Sequence, residues 1–207
     1  LRGKGIGAAL VDHAVRYARE LGVKTVGLYS YRDSVGFYEK MGFKRDSVFN
    51  HVEGVGREAL APTAMQRPRD VGDVVVFDRR YFQGNRKLLL ETLLQEFPSL
   101  LLEFQDETGV TGYIAAKNFA DGTAEIGPWV CGATRTRVAA QLFASELSQL
   151  RSRRISLTIP SQNVEAHRIT RKCGFRTKQS VTRMFLDNAE DLPRVDEIYA
   201  AAGLDVG

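Results

Sequence analysis

The run Arg2-Gly3-Lys4-Gly5-Ile6-Gly7 is a basic, glycine-rich turn leading straight into an apolar-periodic stretch. Glycines at alternate positions let a backbone approach a ligand with no Cβ in the way. A helix beginning there offers N–H groups without partners inside the helix. With the helix dipole, those donors suit a phosphate or pyrophosphate. The run is not a P-loop, since Gly-Lys-Ser/Thr is absent, and its third Gly comes one residue early for the Gly-x-Gly-x-x-Gly dinucleotide fingerprint. An ordinary glycine turn is the alternative reading. Other chemical candidates are weaker. His13, His51 and His167 have no metal-ligand spacing. Arg151, Arg153 and Arg154 read as a solvated helix end, and Arg135 and Arg137 as a possible anion contact. Cys131 reads as buried packing, and Asp78-Arg79-Arg80 as the start of a helix.

The elements that must position the turn follow from periodicity. Residues 7–21 read as a helix, with Ile6, Leu10, Ala14 and Tyr17 at three- and four-residue spacing and Gly22 as the stop. Residues 23–30 read as a strand, 33–41 as a short helix ended by Gly42, and 43–55 as one or two strands. Residues 58–69 carry prolines and no period, which predicts a linker. A second block then opens. Residues 78–97 are helical in two pieces broken near Gly84. Strands follow at 100–104, 111–117 and 124–131, a helix at 138–150, a strand at 155–159, a helix at 163–172, and strands to Leu186. A weak helix is expected at 195–202.

Lys40-Met41-Gly42-Phe43-Lys44 resembles Lys172-Cys173-Gly174-Phe175-Arg176, with Gly42 set on Gly174. The same offset, taken without a gap, sets Leu10 on Leu142, Ile6 on Val138, Val23 on Ile155 and Phe37 on Ile169. A constant register over two helices and a strand predicts a duplicated unit. The second copy has helices and three strands ahead of its 138–150 helix. The first has nothing ahead of Leu1, so its N-terminal part is expected to lie upstream. The expected division is 1–57, a linker at 58–72, and 73–207.

Taken with the glycine turn, Tyr38-Glu39-Lys40-Met41-Gly42-Phe43 resembles the C-terminal half of a GNAT-superfamily N-acetyltransferase. That superfamily's acetyl-CoA loop has the form Arg/Gln-x-x-Gly-x-Gly/Ala, which Arg2 to Gly7 match position by position. The resemblance implies an α/β (α+β) fold of GNAT-like mixed sheets flanked by helices, here a tandem duplication with the first copy truncated at its N-terminus. It implies that the backbone of Arg2, Gly3, Lys4, Gly5, Ile6 and Gly7 holds the CoA pyrophosphate. It also implies that Tyr38 is the general acid beside the thioester sulfur, although a core aromatic next to Phe37 is the alternative. A phenol of pKa ~10 can donate to a leaving thiolate of pKa ~8.5 with only a small mismatch. The implied reaction is direct acetyl transfer from acetyl-CoA, without a metal, to the primary amine of a small-molecule or peptide acceptor. The implied base lies on a strand before the loop, which would precede Leu1. One departure is Tyr31, where many members carry Asn.

The second copy departs more. Asn163-Val164-Glu165-Ala166 restores the family's Asn-x-x-Ala, but Thr170 falls on Tyr38 and Arg137 on Gly5. Gly127-Pro128-Trp129 and Thr182-Arg183-Met184 resemble a divergent second GNAT-like domain. Two functions are therefore expected as rivals: an acetyltransferase, or a non-catalytic GNAT-like binding or regulatory module.

Composition sets outer bounds. The 207 residues are 43% hydrophobic and 26% charged, enough for a real core. Two cysteines make no disulfide framework, so a reducing, cytoplasmic setting is expected. No apolar run reaches eighteen residues, which argues against a membrane span. The net charge of +4 comes without a basic stripe interleaved with aromatics, which argues against nucleic acid as a partner.

Overall fold

The short apolar runs flanked by turn residues all become strands of one sheet. The structure, a computed structural model, describes residues 5–58, 65–186, 195 and 197–204. Its first segment holds α1 (Ile6–Glu20), β1 (Val26–Tyr31), a 3-10 turn (Arg32–Ser34), α2 (Val35–Lys40) and β2 (Phe43–Val55). The second begins with α3 (Gly72–Phe82), α4 (Lys87–Glu96), β3 (Leu101–Asp106), β4 (Gly109–Asn118) and β5 (Thr123–Cys131). It continues with α5 (Thr136–Gln149), β6 (Arg154–Pro160), α6 (Val164–Lys172), β7 (Arg176–Leu186) and β8 (Ile198–Ala200). The architecture is mixed α/β, a mixed sheet flanked by helices.

The eight strands run in the order β1-β7-β2-β6-β5-β4-β3, with β8 beside β5. Alternation along β4 decides which helices cover which face. Tyr113 and Ala115 pack with Val74, Phe77, Leu90 and Leu93 of α3 and α4. Ile114 and Ala116 pack with Leu142, Phe143 and Leu147 of α5 and Ile169 of α6. A smaller core of Val35, Phe43 and Met184 joins α2 to β2 and β7.

The two segments share an element order, and their terminal strands are exchanged. β7 lies beside β1, and β2 lies beside β6. Between them β2 and β7 pair antiparallel in a ladder with a local two-fold. Under the offset that sets Gly42 on Gly174, the pair Lys44↔Phe185 falls on the pair Arg176↔Glu53.

Four expectations are corrected. First, the repeat is not gapless. Val26 pairs with Leu186, and its counterpart Ile155 pairs with Gly54. The step from Val26 to Ile155 is three positions shorter than the step from Gly54 to Leu186. The missing three residues lie in the helices, since α2 has six residues and α6 nine. Second, the 195–202 helix is not formed, because Ile198–Ala200 is strand β8. The open edges of β5 and β6 hold this run extended, and tertiary pairing overrides the helix propensity of its alanines. Third, Asp78 does not open a helix. It sits inside α3, 1% exposed, and accepts from Arg86 Nε at 3.0 Å and from the Tyr113 hydroxyl at 2.6 Å. Fourth, Ile6, Leu10 and Tyr17 do not form the packed face of α1. They are 49%, 65% and 58% exposed, while Val11 and Val15 touch the small core.

Candidate active site

Arg2, Gly3 and Lys4 lie outside the described residues; Gly5, Ile6 and Gly7 lie within them. Gly5 is the N-cap of α1 at φ +73°, a left-handed conformation natural to glycine. Ala9 N–H closes the first helical turn onto the Gly5 carbonyl at 3.0 Å. The N–H groups of Ile6, Gly7 and Ala8 precede that bond and have no acceptor among the described residues. Among the described residues no side chain caps this end, no acidic residue stands in its first turn, and Gly5 to Gly7 face solvent. The turn is an open, electropositive cradle of the kind that takes an anion.

The cradle abuts α2. A Cβ on Gly7 would sit 3.5 Å from the Phe37 ring. Phe37 stacks edge-on to Tyr38 at 5.0 Å, and Tyr38 does so on Phe43 at 5.8 Å. Tyr38 is half-buried, and its hydroxyl has no partner among the described residues. Two aromatic neighbours thus fix the ring while the phenolic proton stays available. Gly7 and Tyr38, distant in sequence, are brought together through Phe37, a contact sequence reasoning missed. The only cue was an aromatic one position from the candidate acid.

The corrected repeat changes the second-segment counterparts. The C-caps of α1 and α5 are Leu21 and Leu150, and aligning them sets Gly5 on Thr134. Arg137, expected opposite Gly5, instead lies inside the first turn of α5. Arg135 at that helix's N-cap is tied to Asp106 at 2.6 Å. The N-cap of α6 is Asn163, and its counterpart at the start of α2 is Ser34, not Tyr31. Thr170, 1% exposed, donates back to the Ala166 carbonyl at 2.9 Å and aims into its own helix.

The first segment thus sets an open helix N-terminus beside an aromatic pair, and the second segment does not repeat that arrangement. A sequence model described as an acetyltransferase (GNAT) domain matches residues 74–200, and one described as the acetyltransferase (GNAT) family matches residues 1–43. The chain belongs to the GNAT acetyltransferase family. No curated protein matches it. A candidate acetyltransferase from Pyrococcus horikoshii has a similar solved structure. It is 21% identical at a TM-score of 0.81, over 100% of this chain and 68% of that one. A GCN5-related N-acetyltransferase from Sphaerobacter thermophilus is 16% identical at 0.60, over 89% and 68%. A tandem GNAT protein from the clavulanic acid biosynthesis pathway is 15% identical at 0.57, over 89% and 70%. At these identities the likeness is one of fold, and it agrees with the GNAT fold expected from the sequence.

Two further side chains of this GNAT chain are shifted by burial. Burial pushes the Cys131 thiol up to about 12, so it is not a ready nucleophile. Burial, then the nearby Arg171, pull His167 below its usual value; Asn50 Nδ2 lies 3.3 Å from its Nε2. Among the described residues no cluster of His, Cys, Asp or Glu is placed to hold a metal, and no helix is long and apolar enough to cross a membrane.

Proposed function

We propose that the chain is part of an N-acetyltransferase that moves acetyl from acetyl-CoA to the primary amine of a small-molecule or peptide acceptor, with the chemistry in its first segment. The observation that carries this reading is the contact of the open Gly5–Gly7 turn with the Phe37–Tyr38 pair. The residues fit the donor: the Ile6, Gly7 and Ala8 N–H groups would hold its pyrophosphate, and acetyl-CoA would supply the activated acyl group. Tyr38 would hold the proton that the departing sulfur takes. We infer a two-domain organisation dividing at 58–72, a cytoplasmic setting, and no membrane or nucleic acid partner.

The test uses the natural full-length protein. Tyr38→Phe should lower kcat about 10²-fold, the usual loss for a general acid. The Kd for acetyl-CoA should stay the same, because the ring and its packing survive. Unchanged kcat would remove Tyr38 from the chemistry. The rival reading, a non-catalytic GNAT-like module, is favoured only for the second segment, where Thr170 is spent on its own helix. Thr170→Val should therefore leave kcat where it is.

A further inference from the structure

β5 and β6 run parallel but pair only over Thr123–Glu125 against Arg154–Ser156. Beyond those residues they part, and α5 begins just past the end of β5. In open α/β sheets the crevice at the carboxyl ends of diverging strands, beside a helix N-terminus, is where ligands bind. In this chain the crevice is already filled by the chain itself. β8 pairs antiparallel with β5, Trp129 opposite Ala200 and Val130 opposite Ile198. On the other side Ala201 N–H donates to the Thr158 carbonyl of β6 at 2.9 Å.

Side chains lock the insertion. Asn163 Nδ2 donates to the Ile198 carbonyl at 3.0 Å while its Oδ1 accepts from Ala166 N–H at 2.9 Å. The Tyr199 ring lies 4.8 Å from Trp129. Gly127 makes the room: a Cβ there would fall 1.8 Å from the Ala201 carbonyl oxygen. The Gly127-Pro128-Trp129 run thus serves the tail rather than an outside ligand. Past the crevice, Ala201 and Leu204 pack with Tyr29 of β1, Phe49 of β2 and Val181 of β7.

We propose that residues 197–204 are a built-in plug that closes the second segment's strand crevice and confines the acyl donor to the first segment. The segment adds itself as a strand, with main-chain bonds on both sides, as extended peptides do when they augment a sheet. Being tethered, it competes at an effective concentration on the order of mM, without losing the entropy a free ligand would. The plug rests on the fold alone; the confinement of the donor rests on the proposed function.

The test is hydrogen exchange on the natural full-length protein, with and without acetyl-CoA, for the wild type and for Gly127→Ala and Tyr199→Phe. Amides of 198–201 should exchange at least 10²-fold more slowly than free chain. Gly127→Ala should speed them more than tenfold while β3 and β4 keep their protection. Should Gly127→Ala fail to fold, Tyr199→Phe, which removes the hydroxyl's hydrogen bond with Thr136 at the start of α5, should speed the same amides by a few-fold without changing the aromatic stack. Acetyl-CoA should slow exchange at 6–9 and leave 126–131 and 157–163 unaltered. Rapid exchange of 198–201 in the wild type, or acetyl-CoA acting at 126–131 and 157–163, would overturn the plug. An acetyl-CoA effect absent from 6–9 would count against the first-segment reading, and the rates at 198–201 would still decide the plug.

Discussion

α1 and α5 occupy matching places in the two segments and are solvated in opposite ways. Leu10, Tyr17 and Leu21 of the first are 65%, 58% and 66% exposed, whereas their counterparts under the corrected alignment, Ala139, Glu146 and Leu150, are 0%, 0% and 1% exposed. The sequences alone do not explain this, because the first set is no less apolar than the second. What differs is the sheet beneath. α5 lies over β3, β4 and β5, while β1 is the last strand of its sheet and has no neighbour on its outer side among the described residues. An apolar helix face is a statement about a partner surface, and burial follows only where that surface is present.

The hardest test of this contrast is to isolate the poorer side. Residues 1–57 alone would lose the pairing of β1 and β2 with β7 and of β2 with β6. They should show no cooperative thermal transition by circular dichroism, since so small a fragment buries too little area. A sharp transition would mean the first segment has a core of its own.

Next in size is a pair of truncations. Leu142→Ala in α5 removes a fully buried side chain and should cost about 2–5 kcal/mol in urea unfolding. Leu10→Ala in α1 should stay within about 0.5 kcal/mol. Equal losses would show that the face of α1 is covered in solution.

The smallest effect concerns Glu146, which lies in α5 where α1 carries Tyr17. Both its carboxylate oxygens are buried with no hydrogen-bond partner among the described residues, and burial holds the carboxyl well above the ordinary Glu range despite the opposing charge of Arg67. The folded chain keeps a proton that the unfolded chain releases above about pH 4.3. The folded state then binds more protons than the unfolded one, so stability falls as pH rises through that window. Glu146→Gln removes the titration and should raise Tm at pH 7 relative to wild type, with the gain gone at pH 3. A gain equal at both pH values would mean the carboxyl is not neutral in the fold.

Much of the fold was legible because it depends on local signals. Gly42 and Gly174 do end α2 and α6, and the turn residues Glu107-Thr108-Gly109 and Ala120-Asp121-Gly122 do separate β3, β4 and β5. The exchange of β2 and β7 was not legible, because either strand has the pattern to pair with either neighbour. The three-residue step in the repeat hid for a related reason. Anchored at Lys40-Met41-Gly42-Phe43, a gapless register still sets helix on helix and strand on strand, and only ladder pairs such as Gly54↔Ile155 expose the slip. β8 was read as helix because Ala200-Ala201-Ala202 favours one in isolation. At the candidate site, the glycine turn and Tyr38 could be picked out by residue type. Phe37, which joins them, could not, since its role is one of position.

The exchange of strands sets a timetable for biosynthesis. β1 can pair with β7 only once β7 exists, and most of the chain lies between Val26 and its partner Leu186. At translation rates of about 5–20 residues per second, roughly 8–32 s pass between the emergence of the two. Throughout that interval the β1 edge that β7 later covers lacks this partner. Exposed edges of this kind are prone to aggregate, and slowing the last third of translation should lower the soluble yield more than slowing the first.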